Sequence, residues 1–153
     1  MDEISIKKLI LAAPLAYRKD DSLQFPVCDT VRGEVLFRMA LDPSQSRSIE
    51  PDRRAFPGRL VAAGVAADPR EAEARLSPGG PGLLELPAGT YFFAQIREAP
   101  DMETLIDMII EAQQEGLWER YSLDDSLYIR RLLEDGQRIT QIFRPVRNPQ
   151  IFG

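Results

Sequence analysis

The sequence predicts a single α+β domain, residues 1–153, in which a helix covers one face of a mainly antiparallel sheet. The stretch from Leu83 to Val146 reads in the order strand, helix, strand, strand. No regular alternation of strands and helices, of the kind that builds a parallel sheet, runs through the chain. With 153 residues, 44% of them hydrophobic and 28% charged, the chain is long enough to bury a core.

The helix is predicted from Asp101 to about Leu117. Its apolar residues recur at helical intervals and form one stripe: Met102, Leu105, Ile106, Ile109 and Ile110. Asp101 can cap the free amides of the first turn, and Gly116 is a plausible stop. Such a stripe needs a sheet or another helix beneath it.

Strands are predicted on both sides of this helix. Residues 83–86 and 90–96 precede it, separated by Pro87-Ala88-Gly89. Residues 126–133 and 138–146 follow as a hairpin, because the Asp135-Gly136 pair between them favours a tight turn. Strand alternation places Tyr128, Arg130 and Leu132 on one face of the hairpin.

The first half of the chain is predicted to be mostly extended. Residues 4–17 are β-like, although a helix ending at Pro14 is the competing interpretation. The other predicted elements are an edge strand at 25–28, strands at 31–41 and 59–67, and a short helix at 68–76 that ends in the Pro- and Gly-rich run 77–82.

Residues 42–58 are predicted to form a mobile loop, because they are rich in Pro, Ser and Arg. A solvated loop is the simpler interpretation. A phosphate-binding arginine loop is the sharper one, but no Gly-rich segment accompanies the arginines.

Composition argues against several classes of function. The chain has no His and one cysteine, Cys28, so no metal site, cofactor or disulfide is expected. The net charge of −5 argues against a nucleic-acid partner. No signal peptide is recognised at the start and no apolar run is long enough to cross a membrane, so we expect a cytoplasmic protein that does not contact membranes.

The second half resembles the GyrI-like effector-binding domains. The similarity lies in Leu86-Pro87-Ala88-Gly89-Thr90-Tyr91, in the helix that follows, in Leu127-Tyr128-Ile129, and in the closing strand that ends at Pro145-Val146. The resemblance implies a duplicated strand–helix–strand–strand fold with a cleft between the halves. The first half would be degenerate, since no long helix is evident between Lys8 and Gly58. No helix-turn-helix precedes the module, so a stand-alone version is implied.

The resemblance also implies a ligand site, because family members bind hydrophobic and often cationic small molecules with aromatics and an acid. Tyr91 and Tyr128 match the family's aromatic positions, whereas Ser126 and Leu127 stand where its acid is usual. Core packing is the competing interpretation for each aromatic. The predicted ligand-binding residues are Tyr91, Phe93, Trp118, Tyr121, Asp125 and Tyr128, and no catalytic residue is predicted.

Three functions follow, in order of preference. The first is the binding of small hydrophobic molecules. The second is a protein–protein interaction module that uses sheet edges or the long helix. The third is a hydrolase that uses Glu or Asp with Tyr in the same cleft. An apolar cleft would favour the first, a flat exposed apolar patch the second, and a carboxylate buried beside a Tyr the third. The oligomeric state stays open.

Overall fold

The structure, a computed structural model, describes residues 5–20, 23, 34–46, 48, 50–52, 54, 56–66, 82–97 and 100–148. Two helices and nine strands lie in this part of the chain. They are β1 Ser5–Leu11, β2 Leu15–Lys19, β3 Val35–Leu41, α1 Pro43–Ser46, β4 Gly58–Ala66, β5 Leu83–Leu86, β6 Gly89–Ile96, α2 Met102–Trp118, β7 Ser122–Leu123, β8 Ser126–Glu134 and β9 Gln137–Asn148.

The strands form a curled half-barrel in which every pairing between the described strands is antiparallel. Eight of them follow one another in the order β1-β6-β9-β8-β3-β4-β2-β5, and β7 pairs with β9. The predicted α+β class with a mainly antiparallel sheet is thus what the structure shows.

The sheet contains a structural repeat. We can exchange β1 with β5, β2 with β6, β3 with β8 and β4 with β9. The result is the same strand order, read from the opposite edge of the sheet. The registers obey the same exchange: Leu9 lies opposite Tyr91 in the β1–β6 ladder, and Leu84 lies opposite Tyr17 in the β2–β5 ladder. The two halves are therefore related by a pseudo-twofold axis between β3 and β8, which makes Tyr17 the counterpart of Tyr91.

The two halves also pair with each other through β1, β2, β5 and β6. β1 and β2 run antiparallel to β5 and β6, with Leu11 opposite Gly89 and Leu15 opposite Leu86. Three residues, 12–14, thus separate the paired positions on one side, and two residues, 87–88, separate them on the other. The prediction of extended structure for residues 4–17 is confirmed at 5–11 and 15–17, and the competing helix is wrong.

Helix α2 follows the prediction closely at its start. Asp101 caps it by accepting a hydrogen bond at Oδ1 from the Thr104 amide, 2.8 Å away. Four of the five predicted stripe residues are buried, whereas Met102 in the first turn is exposed. Gly116 was expected to stop the helix, but it lies inside it and the cap is Glu119. Gly116 is instead a point of close packing, because a Cβ there would lie 2.9 Å from the Leu123 side chain.

The hairpin prediction is also confirmed. β8 and β9 pair around Asp135 and Gly136, whose φ angles of 52° and 77° are those of a tight turn with two left-handed residues. The strand predicted at 59–67 is confirmed over its described residues as β4, and the strand predicted at 31–41 is confirmed from Val35 onward as β3. The predicted strand at 25–28, Cys28 and the predicted helix at 68–76 lie outside the described residues.

The predicted loop 42–58 contains a short helix, α1, and is attached to the second half of the chain. Arg144 on β9 is 1% exposed, and its Nη2 donates to the Ser46 carbonyl at 2.9 Å. The Gln113 amide nitrogen donates to the carbonyls of Gln45 and Ser48 at 2.8 and 2.7 Å. Buried side chains of α2 and β9 thus hold the backbone of this segment.

Gly64 is required where β4 packs beside β2. A Cβ at this position would lie 2.8 Å from the Arg18 carbonyl oxygen and 3.0 Å from Tyr17 Cβ. Backbone cannot yield as a side-chain tip can, so we expect Gly64→Ala to lower the free energy of unfolding by about 1–3 kcal/mol. Denaturant unfolding followed by circular dichroism measures this.

The matched control for that variant is Gly82→Ala. Gly82 is exposed, and no atom lies within 4 Å of the position of its Cβ. The control is expected to be neutral or to stabilise by up to about 1 kcal/mol, because alanine restricts the unfolded chain. Equal unfolding midpoints for the two variants would contradict the close approach of β2 to β4.

Neither helix is long and apolar enough to span a membrane in the part of the chain that the structure describes.

Candidate functional site

The sheet separates two hydrophobic clusters. The cluster on the α2 side contains Phe92, Ala94, Leu127, Ile129 and Ile142 together with the buried face of the helix. Side chains alternate along a strand, so the neighbours of these residues point to the opposite face. We call that set the distal-face cluster; its buried members are Tyr17, Leu36, Leu84, Leu86, Tyr91, Phe93, Tyr128 and Phe143.

Aromatic rings form the centre of the distal-face cluster. The Phe143 ring lies 5.6 Å from the Tyr91 ring and 5.0 Å from the Phe93 ring, both in edge-on arrangements. The Tyr91 hydroxyl donates to the Pro87 carbonyl. Burial raises the pKa of Tyr91 and of Tyr128 above the ordinary value, so both phenols are neutral at physiological pH.

A polar group of three side chains borders this cluster. The Tyr17 hydroxyl donates to Glu34 Oε2 at 2.5 Å and accepts from Arg130 Nε at 3.0 Å. Arg130 Nη2 donates to Glu34 Oε1 at 2.9 Å, which makes a half-buried ion pair. Burial, followed by the hydrogen bond to Glu34, raises the pKa of the Tyr17 phenol. Tyr17 therefore acts here as a neutral hydrogen-bond donor and not as a base.

The polar group continues across the sheet as a row of amides. Arg130 Nη1 donates to Gln141 Oε1 at 3.0 Å, and Gln141 Nε2 donates to Gln95 Oε1 at 2.8 Å. These side chains come from β8, β9 and β6, which are neighbours in the sheet. Each bond orients the next side chain, so the row is held in one arrangement.

A depression of about 280 Å³ lies where this row meets the aromatic cluster. Its apolar lining comes from Leu9, Leu11, Leu15, Phe93 and Phe143, and its polar lining from Lys7, Gln95, Arg130 and Gln141. Lys7 Nζ lies 5.5 Å from the centre of the Phe93 ring. An apolar concavity with a few fixed polar groups is the usual form of a small-molecule site.

A larger cavity, of about 710 Å³, lies beside α1 and the ends of β3 and β4. Its acidic side chains already have local partners: Asp42 Oδ1 accepts from the Ser44 amide at 3.0 Å, and Asp52 pairs with Arg54 at 3.0 Å. Residues 47, 49, 53 and 55 of the adjoining segment lie outside the described part. The distal-face depression is therefore the better-defined candidate.

The structure brings together three of the six residues predicted to bind ligand. Tyr91, Phe93 and Tyr128 share the distal-face cluster, and Phe93 also lines the depression. All three are buried, so packing accounts for most of their surface.

The other three predicted residues lie away from that cluster. Tyr121 belongs to the cluster on the α2 side, where its ring contacts Phe92 at 5.3 Å and its hydroxyl accepts from Lys8. Asp125 accepts from the Ser46 hydroxyl at 2.6 Å. Trp118 is 72% exposed at the end of α2. Since α2 covers the opposite face of the sheet, neither Trp118, its last residue, nor Tyr121 just after it lines the depression.

Sequence reasoning did not select Tyr17, Glu34, Arg130, Gln141 or Lys7. Strand alternation placed Arg130 on the face of Tyr128, and that signal was correct. The segment Leu11-Ala12-Ala13-Pro14 before Tyr17 is weakly similar in sequence to Leu86-Pro87-Ala88-Gly89 before Tyr91. This similarity reflects the repeat. No sequence pattern indicated that Glu34 belongs to the site, because its partner Arg130 is 96 residues away in the chain.

Within the described ranges, no cluster of three or more His, Cys, Asp or Glu residues is placed to hold a metal ion. No protein-family model matches the chain, and no curated protein matches it.

Proposed function

We propose that this protein binds flat hydrophobic small molecules in the depression on the distal face. The observation that carries the proposal is the apolar concavity beside Phe93 and Phe143, bordered by the fixed row Arg130, Gln141 and Gln95. Its volume of about 280 Å³ suits a compact ligand of one or two fused rings better than a long chain.

The likeness to GyrI-like effector-binding domains remains part of this proposal. The pseudo-twofold strand order supports it, because that resemblance implies a duplicated module with its cleft between the halves. The depression lies near the junction of the halves, since β1 of the first half and β6 of the second both contribute to its lining. Between β2 and β3, where that fold would have its first helix, the described residues are 20, 23 and 34.

The proposal is tested by Leu9→Ala with neighbouring Ile10→Ala as its control. Leu9 lines the depression, whereas Ile10 on the same strand points to the other face and is 72% exposed. We expect Leu9→Ala to weaken the binding of a neutral aromatic such as 2-naphthamide by about 1 kcal/mol, or roughly five-fold. Isothermal titration calorimetry on the intact chain measures both variants.

Ile10→Ala is expected to bind the same compound as the original protein does. Equal weakening by the two variants would place the binding elsewhere. If calorimetry detects no heat of binding for any compound in a panel of neutral and charged aromatics, small-molecule binding is contradicted. That result would favour a protein–protein interaction module.

A hydrolase is the second candidate, and one observation favours it. Glu34 and Tyr17 are 2.5 Å apart, a carboxylate and a phenol in the arrangement that acid–base catalysis uses. Arg130, however, donates to both Glu34 oxygens, at 2.9 and 3.1 Å, so both oxygens of this carboxylate already have a hydrogen-bond partner. Turnover of a bound ester or amide that is lost in Glu34→Gln would support catalysis over binding.

A further inference from the structure

We infer that the depression selects an apolar molecule bearing an acidic group, with its anion at Lys7 and Gln95. This inference rests on the proposed function and names the ligand class of that site. It concerns aromatic or compact aliphatic carboxylates.

Both charged residues that line the depression are basic. Lys7 and Arg130 line it, and no Asp or Glu is among its lining residues. Arg130 is paired with Glu34 at 2.9 Å, so that guanidinium is largely neutralised and serves mainly to hold the amide row. Lys7 therefore supplies the local positive charge that a ligand meets.

The position of Lys7 is set by the backbone. Lys7 lies directly opposite Phe93 in the β1–β6 ladder, and its Nζ stands over the Phe93 ring at 5.5 Å. Among the described residues no carboxylate lies within ion-pairing distance of Lys7 Nζ. The ammonium instead makes a cation–π contact with the Phe93 ring. An exposed ammonium over an apolar floor can pair with a ligand anion while the ligand body contacts the ring below.

Gln95 supplies a second donor beside Lys7. Gln95 is two residues from Phe93 on the same strand face, diagonal to Lys7 across the β1–β6 ladder. Its Oε1 accepts from Gln141, which orients the amide and leaves Nε2 without a hydrogen-bond acceptor among the described residues. A carboxylate at this rim would receive one charged and one neutral hydrogen bond. An ammonium ligand would instead face the like charges of Lys7 and Arg130.

The expected preference for an anionic ligand has to come from Lys7 and Gln95 and not from the charge of the whole chain. The whole chain carries a net charge of −5, which repels anions at long range. A local ion pair at a solvent-accessible rim is also screened by salt. We therefore expect selectivity that is moderate, sensitive to salt and removed by one substitution.

The test compares three ligands with the same ring system: 2-naphthoate, 2-naphthamide and 2-naphthylmethylammonium. Calorimetry at low ionic strength is expected to give 2-naphthoate the tightest binding, about five-fold tighter than the amide, which is the upper range for an exposed ion pair. High salt should bring the two affinities together. Lys7→Gln should remove the preference for the acid, so that the acid and the amide bind with similar affinity.

Lys8→Gln is the matched control, because it makes the same change in net charge on the next residue. Lys8 points to the other face and donates to the Tyr121 hydroxyl, so circular dichroism must show that this variant remains folded. Its preference for 2-naphthoate should be intact. An amide that binds as tightly as the acid, an ammonium that binds best, or a preference that survives Lys7→Gln would overturn the inference alone. Absence of binding by all three compounds would overturn the proposed function as well.

Discussion

Ile109→Asp is expected to unfold the protein or to lower its free energy of unfolding by about 4 kcal/mol or more. Ile109 is 1% exposed in the middle of α2 and belongs to the cluster between that helix and the sheet. A carboxylate there would have no water and no partner of opposite charge to replace the apolar contacts. The loss is large against a typical total stability of about 5–15 kcal/mol.

Glu111→Ala provides the comparison on the same helix. Glu111 is exposed on the solvent side of α2, so its replacement should change stability by less than about 0.5 kcal/mol. Thermal unfolding followed by circular dichroism distinguishes the two variants. If their melting temperatures agree, α2 does not pack on the sheet through the face that contains Ile109.

Arg144→Met is expected to lower the free energy of unfolding by about 3 kcal/mol, the second largest effect. The Arg144 guanidinium donates to the Asp124 carbonyl at 2.7 Å, to Gln113 Oε1 at 2.8 Å and to the Ser46 carbonyl at 2.9 Å. Methionine keeps the apolar stem but supplies no donor. Buried acceptors that lose their donors bear the full cost of desolvation.

The control for that variant is Arg147→Met on the same strand. Arg147 is exposed, and its Nη2 lies 4.0 Å from Asp124 Oδ1, a surface ion pair that contributes little. Its replacement should cost less than about 1 kcal/mol in urea unfolding. A cost for Arg144→Met no greater than this would show that the backbone at Ser46 is held by other contacts.

The elements that sequence reasoning predicted well depend on neighbours in the chain. Helix α2 has its cap, Asp101, three residues before the amide that it binds, and its stripe repeats within four residues. The β8–β9 turn is a local property of Asp135 and Gly136, because glycine and aspartate tolerate the left-handed backbone that this turn requires. Gly116 was misjudged because its role depends on Leu123 and Phe92, which pack against it from outside the helix.

Only part of the candidate site could be predicted, because its other residues are brought together by contacts between distant parts of the chain. Tyr91 and Tyr128 were selected from the resemblance, and Phe93 because strand alternation places it on the face of Tyr91; all three share one cluster. Trp118 and Tyr121 were expected beside them, but α2, which ends at Trp118 and is followed by Tyr121, lies on the opposite face of the sheet. No local pattern indicates which face of a sheet a helix will cover, because either side would bury its apolar stripe.

By itself the sequence determined the α+β class, the capped helix, the hairpin and the alternation of side chains along each strand. These features arise from backbone preferences and from apolar periods that span a few residues. The tertiary structure alone decided that β1 and β2 pair with β5 and β6, that the halves repeat around the β3–β8 pair, and that Glu34 meets Arg130. Those contacts join residues about 70–100 positions apart in the chain. They form because this arrangement buries apolar side chains on both faces of one curled sheet.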